Sequence, residues 1–160
     1  MSTRVVCFVV DFLSALKIEP TKQSIDLVLG ENGLNYNKKE VLRYTRIILA
    51  YLDVLGGFVN NDQKRLFIQH NIDIIDDVVL VVEQSKGESE LKMLKDLMFV
   101  EKVPMTLKDL AIDGNVLKVR FPQLEKHRYS TILKHLLTVC CVAPELNNKK
   151  SLLDIVSKNI

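Results

Sequence analysis

Asp73, Asp76 and Asp77 form the tightest group of carboxylates in the chain. On a helix, Asp73 and Asp77 stand four residues apart on one face, close enough to share a hard cation through oxygen ligands. The polar stripe of an amphipathic helix has the same spacing, and that is the stronger reading. His70, His127 and His135 are far apart and form neither H-E-x-x-H nor H-x-x-x-H, so no zinc site or paired base is assigned. The chain has no G-x-S-x-G, no P-loop, no G-x-G-x-x-G and no D-x-D pair of a two-metal phosphoryl-transfer site. Cys7, Cys140 and Cys141 lie in apolar runs without metal-ligand spacing or a disulfide framework. They read as buried free thiols of a reducing, cytoplasmic protein. No catalytic residue, metal ligand or cofactor is assigned, and the chain itself reads as non-catalytic.

Positive charge is the chemistry that remains. Lys118, Arg120, Lys126, His127, Arg128, Lys134 and His135 fall within eighteen residues, with Glu125 the only acid among them. The net charge of +2 hides an asymmetry: residues 1–100 carry 12 Lys/Arg against 14 Asp/Glu, and residues 101–160 carry 10 against 6. On a helix from about residue 127, Arg128 and His135 lie seven residues apart, two turns, and share a face. Tyr129 beside them is either core or a stacking surface. Cations at a turn and the adjoining helix N-terminus hold phosphate through Coulomb attraction and free backbone N–H groups. A solvated polar face reaches a similar density, so charge alone does not name a partner.

These side chains need a scaffold, and the pattern predicts an all-α fold: a bundle-like array of about eight short helices. Six glycines and four prolines leave long segments with apolar residues at spacings of three and four. A helix is expected over 3–17, although its β-branched residues also permit a strand. The run "VVCFVVDFLSALKI" is interrupted by Asp11 and is too short to span a membrane. A short helix follows Pro20 and ends at Gly30 or Gly33. Asn37 with Glu40 has capping-box spacing and opens a helix stopped by Gly56-Gly57. Asp62 is the expected cap of "QKRLFIQHN". "IDIIDDVVLVVEQSKG" is rich in β-branched residues but places Ile72, Ile75, Val78, Val79 and Val82 on a helical stripe. In "GESELKMLKDLMFVEK", Leu91, Leu94, Leu97 and Met98 are expected inside. "RYSTILKHLLTVCCVAP" gives about four turns ended by Pro144, and Asn148 caps a last helix that packs Leu152, Leu153 and Val156.

Between the last charged helix and the basic one lies "VPMTLKDLAIDGNVLKVRFP", too polar for a core helix and too regularly apolar for a linker. Thr106 is expected to cap a turn holding Leu107 and Leu110, with Asp113-Gly114 breaking it and Leu117 packing beyond. From here to residue 156 the chain resembles the tail of bacterial class II CCA-adding enzymes, tRNA nucleotidyltransferases of the poly(A) polymerase family. Leu107, Leu110, Ala111, Ile112, Gly114 and Leu117 match L-x-x-L-A-I-x-G-x-x-L. Ile132, Leu133, Leu136 and Leu137 match the apolar positions of I-G-x-I-L-x-x-L-L. Pro144, Glu145, Leu146, Asn147, Leu152 and Leu153 match P-E-L-N-x-x-x-x-L-L.

The resemblance implies a helical neck- and body-like region over 1–100 and a tail-like region over 101–160, looser upstream of the tail. It implies contact with tRNA or tRNA-like RNA, which makes Lys118, Arg120, Lys126, Arg128, Lys134 and His135 candidate RNA-binding residues. The catalytic head of that family and its neck motif E-D-x-x-R have no counterpart here. The chain therefore resembles either a fragment of such an enzyme or a stand-alone relative. A full-length parent would be a tRNA nucleotidyltransferase. The family's turn glycine and helix-starting glycine are Lys126 and Ser130 here, so close backbone approach to phosphate is less assured, although Lys126 supplies a charge. The alternative function is a protein-interaction or scaffold domain that docks on a separate catalytic subunit. Its expected mark is an exposed apolar patch from "VVCFVV" or "VVLVV".

Overall fold

The computed structural model of the protein describes residues 3–31, 33–87 and 89–159. Among them are nine α-helices and no strand: α1 Thr3–Ala15, α2 Lys22–Leu29, α3 Lys38–Gly56, α4 Asn61–His70, α5 Ile75–Lys86, α6 Glu90–Val100, α7 Gly114–Arg120, α8 Arg128–Val142 and α9 Lys149–Lys158. Single 3-10 turns cover Leu107–Asp109 and Pro144–Leu146. The β-branched runs of α1 and α5 are helical, because each aligns its valines and isoleucines on one buried stripe.

Local signals explain most of the ends. The Asn37 side chain accepts hydrogen bonds from the Lys39 and Glu40 N–H groups at 3.1 and 3.0 Å, and the Glu40 carboxylate accepts from the Asn37 N–H at 3.2 Å, completing the capping box. Gly57 ends α3 at φ +82°, a backbone that side chains resist. At Gly33 an added Cβ would sit 1.9 Å from the Val28 carbonyl oxygen, so the turn after α2 closes only without a side chain. Two expected starts differ. Asn60, not Asp62, caps α4, its side-chain oxygen accepting from the Gln63 N–H at 2.9 Å. Asp113-Gly114 does not merely break a turn: Asp113 accepts from the Asn115 and Val116 N–H groups and opens α7, with Gly114 as its first residue.

The chain divides into two compact units, the first comprising residues 1–59 and 71–92 and the second residues 60–70 and 93–160. In the first, α1, α2, α3 and α5 pack together. Val6, Val9, Leu13, Ile25, Leu29, Ile47, Ile48, Ile75 and Val78 are fully or almost fully buried. The buried Thr45 hydroxyl of α3 donates to Asp26 of α2 at 2.8 Å.

In the second unit α8 is the central element, touching α4, α7 and both 3-10 turns. Leu110, Ile112, Leu117, Phe121, Leu124, Leu136, Cys140, Leu152 and Val156 form its core. Several leucines expected inside are exposed instead: Leu97 on α6, 46% exposed, and Leu107 in the 3-10 turn. Each belongs to an apolar stripe wider than the surface its neighbours cover.

Candidate nucleic-acid interface

The carboxylate group does not assemble as a cation site. Asp73 precedes α5 in a turn and is held by Arg46 in a two-pronged pair at 2.6 and 2.8 Å. Asp77, inside α5, is bonded to Arg43 at 2.6 Å. The hydrogen bond from Arg46, with its charge, holds the Asp73 carboxyl below the usual carboxylate range. That small contribution to stability is present above the unfolded value of about 3.9 and is lost as pH falls through the lowered one. Both aspartates thus tie the start of α5 to α3. No group of three potential metal-ligating side chains occurs among the described residues.

The thiols are equally structural. Burial raises the Cys140 thiol and pushes Cys141 up to about 11, against a smaller lowering from Arg65. Both stay protonated at neutral pH and act as small apolar groups.

The connector around residue 110 is organised by an asparagine from the later tail segment. Asn147 accepts from the Ala111 N–H through its side-chain oxygen and donates to the Asp109 carbonyl through its amide nitrogen, both at 2.9 Å. Thr106 and Asp109 close a capping box ahead of it. The first and last sequence elements of the resemblance therefore meet through one side chain, fixing the segment between α6 and α7 against the turn before α9. The exposed Asp113 cap serves the same end at α7, and the Val116 N–H, followed by that of Asn115, holds the Asp113 carboxyl below its usual range.

The six candidate RNA contacts are all exposed, but the fold sorts them. Helix α9 has a groove on each flank. One, of 270 Å³, lies against α8 and is lined by Arg128, Thr131, His135 and Asn159 over Ile132 and Ile155. The other, of 450 Å³, lies against α7 and is lined by Asn115, Arg120 and Lys149 over Val116, Val119 and Leu153. Among the described residues, neither groove has a carboxylate in its lining, and Arg120, Arg128 and Lys149 form no salt bridge.

Arg128 and His135 thus share a groove, as their two-turn spacing predicts, and Arg120 joins Lys149. Lys118 lies two residues from Arg120, about 200° round α7, and Lys134 lies about 100° round α8 from His135, so both are outside the grooves. Lys126 sits in the turn before α8, and its φ is not in the left-handed region. Tyr129 is a core residue: it is half-buried against the second core, and its hydroxyl donates to the Leu124 carbonyl at 3.2 Å.

The start of α8 is less open to phosphate than its sequence suggests. The Arg128 and Tyr129 N–H groups already donate to the Glu125 and Lys126 carbonyls, at 2.9 and 3.3 Å. Asn115, Thr131, Lys149 and Asn159 are the polar lining residues that charge density along the chain did not single out. Lys149 and Asn159 come from α9, which only packing brings beside α7 and α8.

No helix among the described residues is long and apolar enough to cross a membrane. Comparison with known proteins returned no matching family model, no matching curated protein and no matching solved structure.

Proposed function

We propose that the chain is a non-catalytic helical module that contacts tRNA or tRNA-like RNA, related to the body and tail of CCA-adding enzymes. It is either a part of such a nucleotidyltransferase or a stand-alone relative acting in the cytoplasm. The supporting observation is the pair of grooves flanking α9, which present Arg128 with His135 and Arg120 with Lys149, with no acid among the described lining residues. Cations without internal partners keep their full attraction for phosphate, and their neutralisation of the backbone releases counterions. Filter binding to tRNA is expected to weaken as salt rises, with a log–log slope of about −2 to −3 for three or four phosphate contacts. Replacing Arg120 and Arg128 together by alanine should flatten that slope by about one to two units. Absence of binding at low salt, beside an intact nucleotidyltransferase that binds, would refute the assignment.

A second reading, docking on a separate catalytic subunit, is favoured by a groove in the first unit. Phe8, Phe12, Leu16 and Ile18 line 420 Å³ of space with Leu27 and Leu34 of the α2 region, and no charged side chain borders it among the described residues. All six are more than two-fifths exposed, including Phe8 from "VVCFVV", whereas "VVLVV" is largely buried in α5. An uncharged apolar trough of this kind suits the apolar face of a helix from that subunit. Co-expression with a class II catalytic head should give a complex that Phe12→Asp disrupts. Separate elution of head and wild-type chain would remove this reading and leave the RNA proposal standing.

A further inference from the structure

The α8–α9 groove combines two chemistries that a duplex backbone does not need together. Its mouth is polar, with the Arg128 cation beside His135, Thr131 and Asn159. Its floor is apolar, with half-buried Ile132 and Ile155 lying over the fully buried core of the second unit. A duplex turns phosphates and sugars outward and keeps its base faces stacked inside, so it satisfies the cations but gains nothing from the floor. An unpaired nucleotide brings both a phosphate and a flat, poorly hydrated base. Guanidinium and imidazole planes are themselves stacking partners for such a base. Arg128 and His135 are separated by about 10 Å along α8, leaving the floor open between them. The Asn159 amide nitrogen donates to the Ile155 carbonyl at 2.7 Å, and its side-chain oxygen remains an acceptor for a ligand donor.

Resting on the RNA assignment above, we infer that this groove receives an unpaired nucleotide from a loop or single strand. The base lies on the Ile132–Ile155 floor beside His135 and the phosphate is held by Arg128. The duplex backbone is then left to the more open α7–α9 groove, where Arg120 and Lys149 stand on separate helices.

The experiment is fluorescence anisotropy with a short labelled single-stranded RNA and the same strand annealed to its complement, at one low salt concentration. The single strand is expected to bind at least about tenfold more tightly, within the range of one stacked base. Ile155→Ser should remove most of that preference and leave duplex affinity within about twofold; Ile132→Ser provides an independent test should the first variant lose its circular dichroism melting transition. Lys22→Ala, an exposed α2 position of the first unit, should retain the preference. Equal affinity for the two RNAs, or a preference that survives both floor variants, would overturn the inference while leaving RNA contact intact. Displacement of the single strand by polyglutamate as effectively as by unlabelled RNA would also overturn it, marking a general anion site. If neither RNA binds, the underlying assignment falls with it.

Discussion

Leu136→Ala should lower the free energy of unfolding by about 3 kcal/mol, within the range of about 2–5 for buried leucine truncations. Leu136 is completely buried in the core formed by α7, α8, α9 and the connector before them. Truncation removes transfer free energy and leaves a cavity that neighbours on several elements cannot all fill. Leu97→Ala is the informative comparison, because the heptad-like pattern of α6 places Leu97 inside with Leu91 and Met98. Its 46% exposure predicts a loss within about 0.5 kcal/mol. Urea unfolding followed by far-ultraviolet circular dichroism measures both, and similar losses would contradict the burial described. Leu136 also lines the α8–α9 groove, so on the RNA-binding proposal its loss should loosen that contact as well as lower stability.

Gln69→Ala is expected to cost about 2–3 kcal/mol, more than an alanine substitution in an exposed helix would. Gln69 is 5% exposed at the end of α4, and its amide nitrogen donates to the Pro104 carbonyl at 2.8 Å and the Leu137 carbonyl at 3.2 Å. It therefore ties α4 both to the segment after α6 and to α8 within the second unit. Alanine removes the donor and leaves carbonyls facing an apolar gap. Gln69→Glu tests the chemistry rather than the volume. Its carboxylate would face two acceptors in a buried position, which raises its folded-state pKa above the unfolded value of about 4.3. The penalty then appears as pH rises above that value and fades below it, so Gln69→Glu should recover stability in acid while Gln69→Ala does not. Thermal melts at pH 7 and in mild acid separate the two; parallel pH profiles would show that the amide is not the linking group.

Much of the helical framework was legible because its signals are short-range. Asn37 and Glu40, Asn148, and the Gly56-Gly57 stop act through atoms within a few residues, and all three appear where their spacing places them. The Asp62 expectation failed locally: two potential caps, Asn60 and Asp62, lie close together, and the one whose oxygen reaches a free N–H is decided by the approach of the chain. Burial was less legible than helicity. Leu27, Leu42 and Leu97 sit on apolar stripes but remain exposed, because a helix has one period while its covering neighbours are set elsewhere.

The candidate site divides along the same line. The seven-residue spacing of Arg128 and His135 fixes a common helix face whatever surrounds it, so their meeting in one groove follows from local geometry. Arg120 with Lys149, Asp73 with Arg46, and Asn147 with the Ala111 backbone each join residues far apart in the chain. Hydrogen bonds and periodicity within a helix depend on neighbours a turn away, and the residues alone determined those for this protein. Which cations share a groove, which leucine is covered and which asparagine fastens a connector depend on how separate helices pack, and only the tertiary structure decided them.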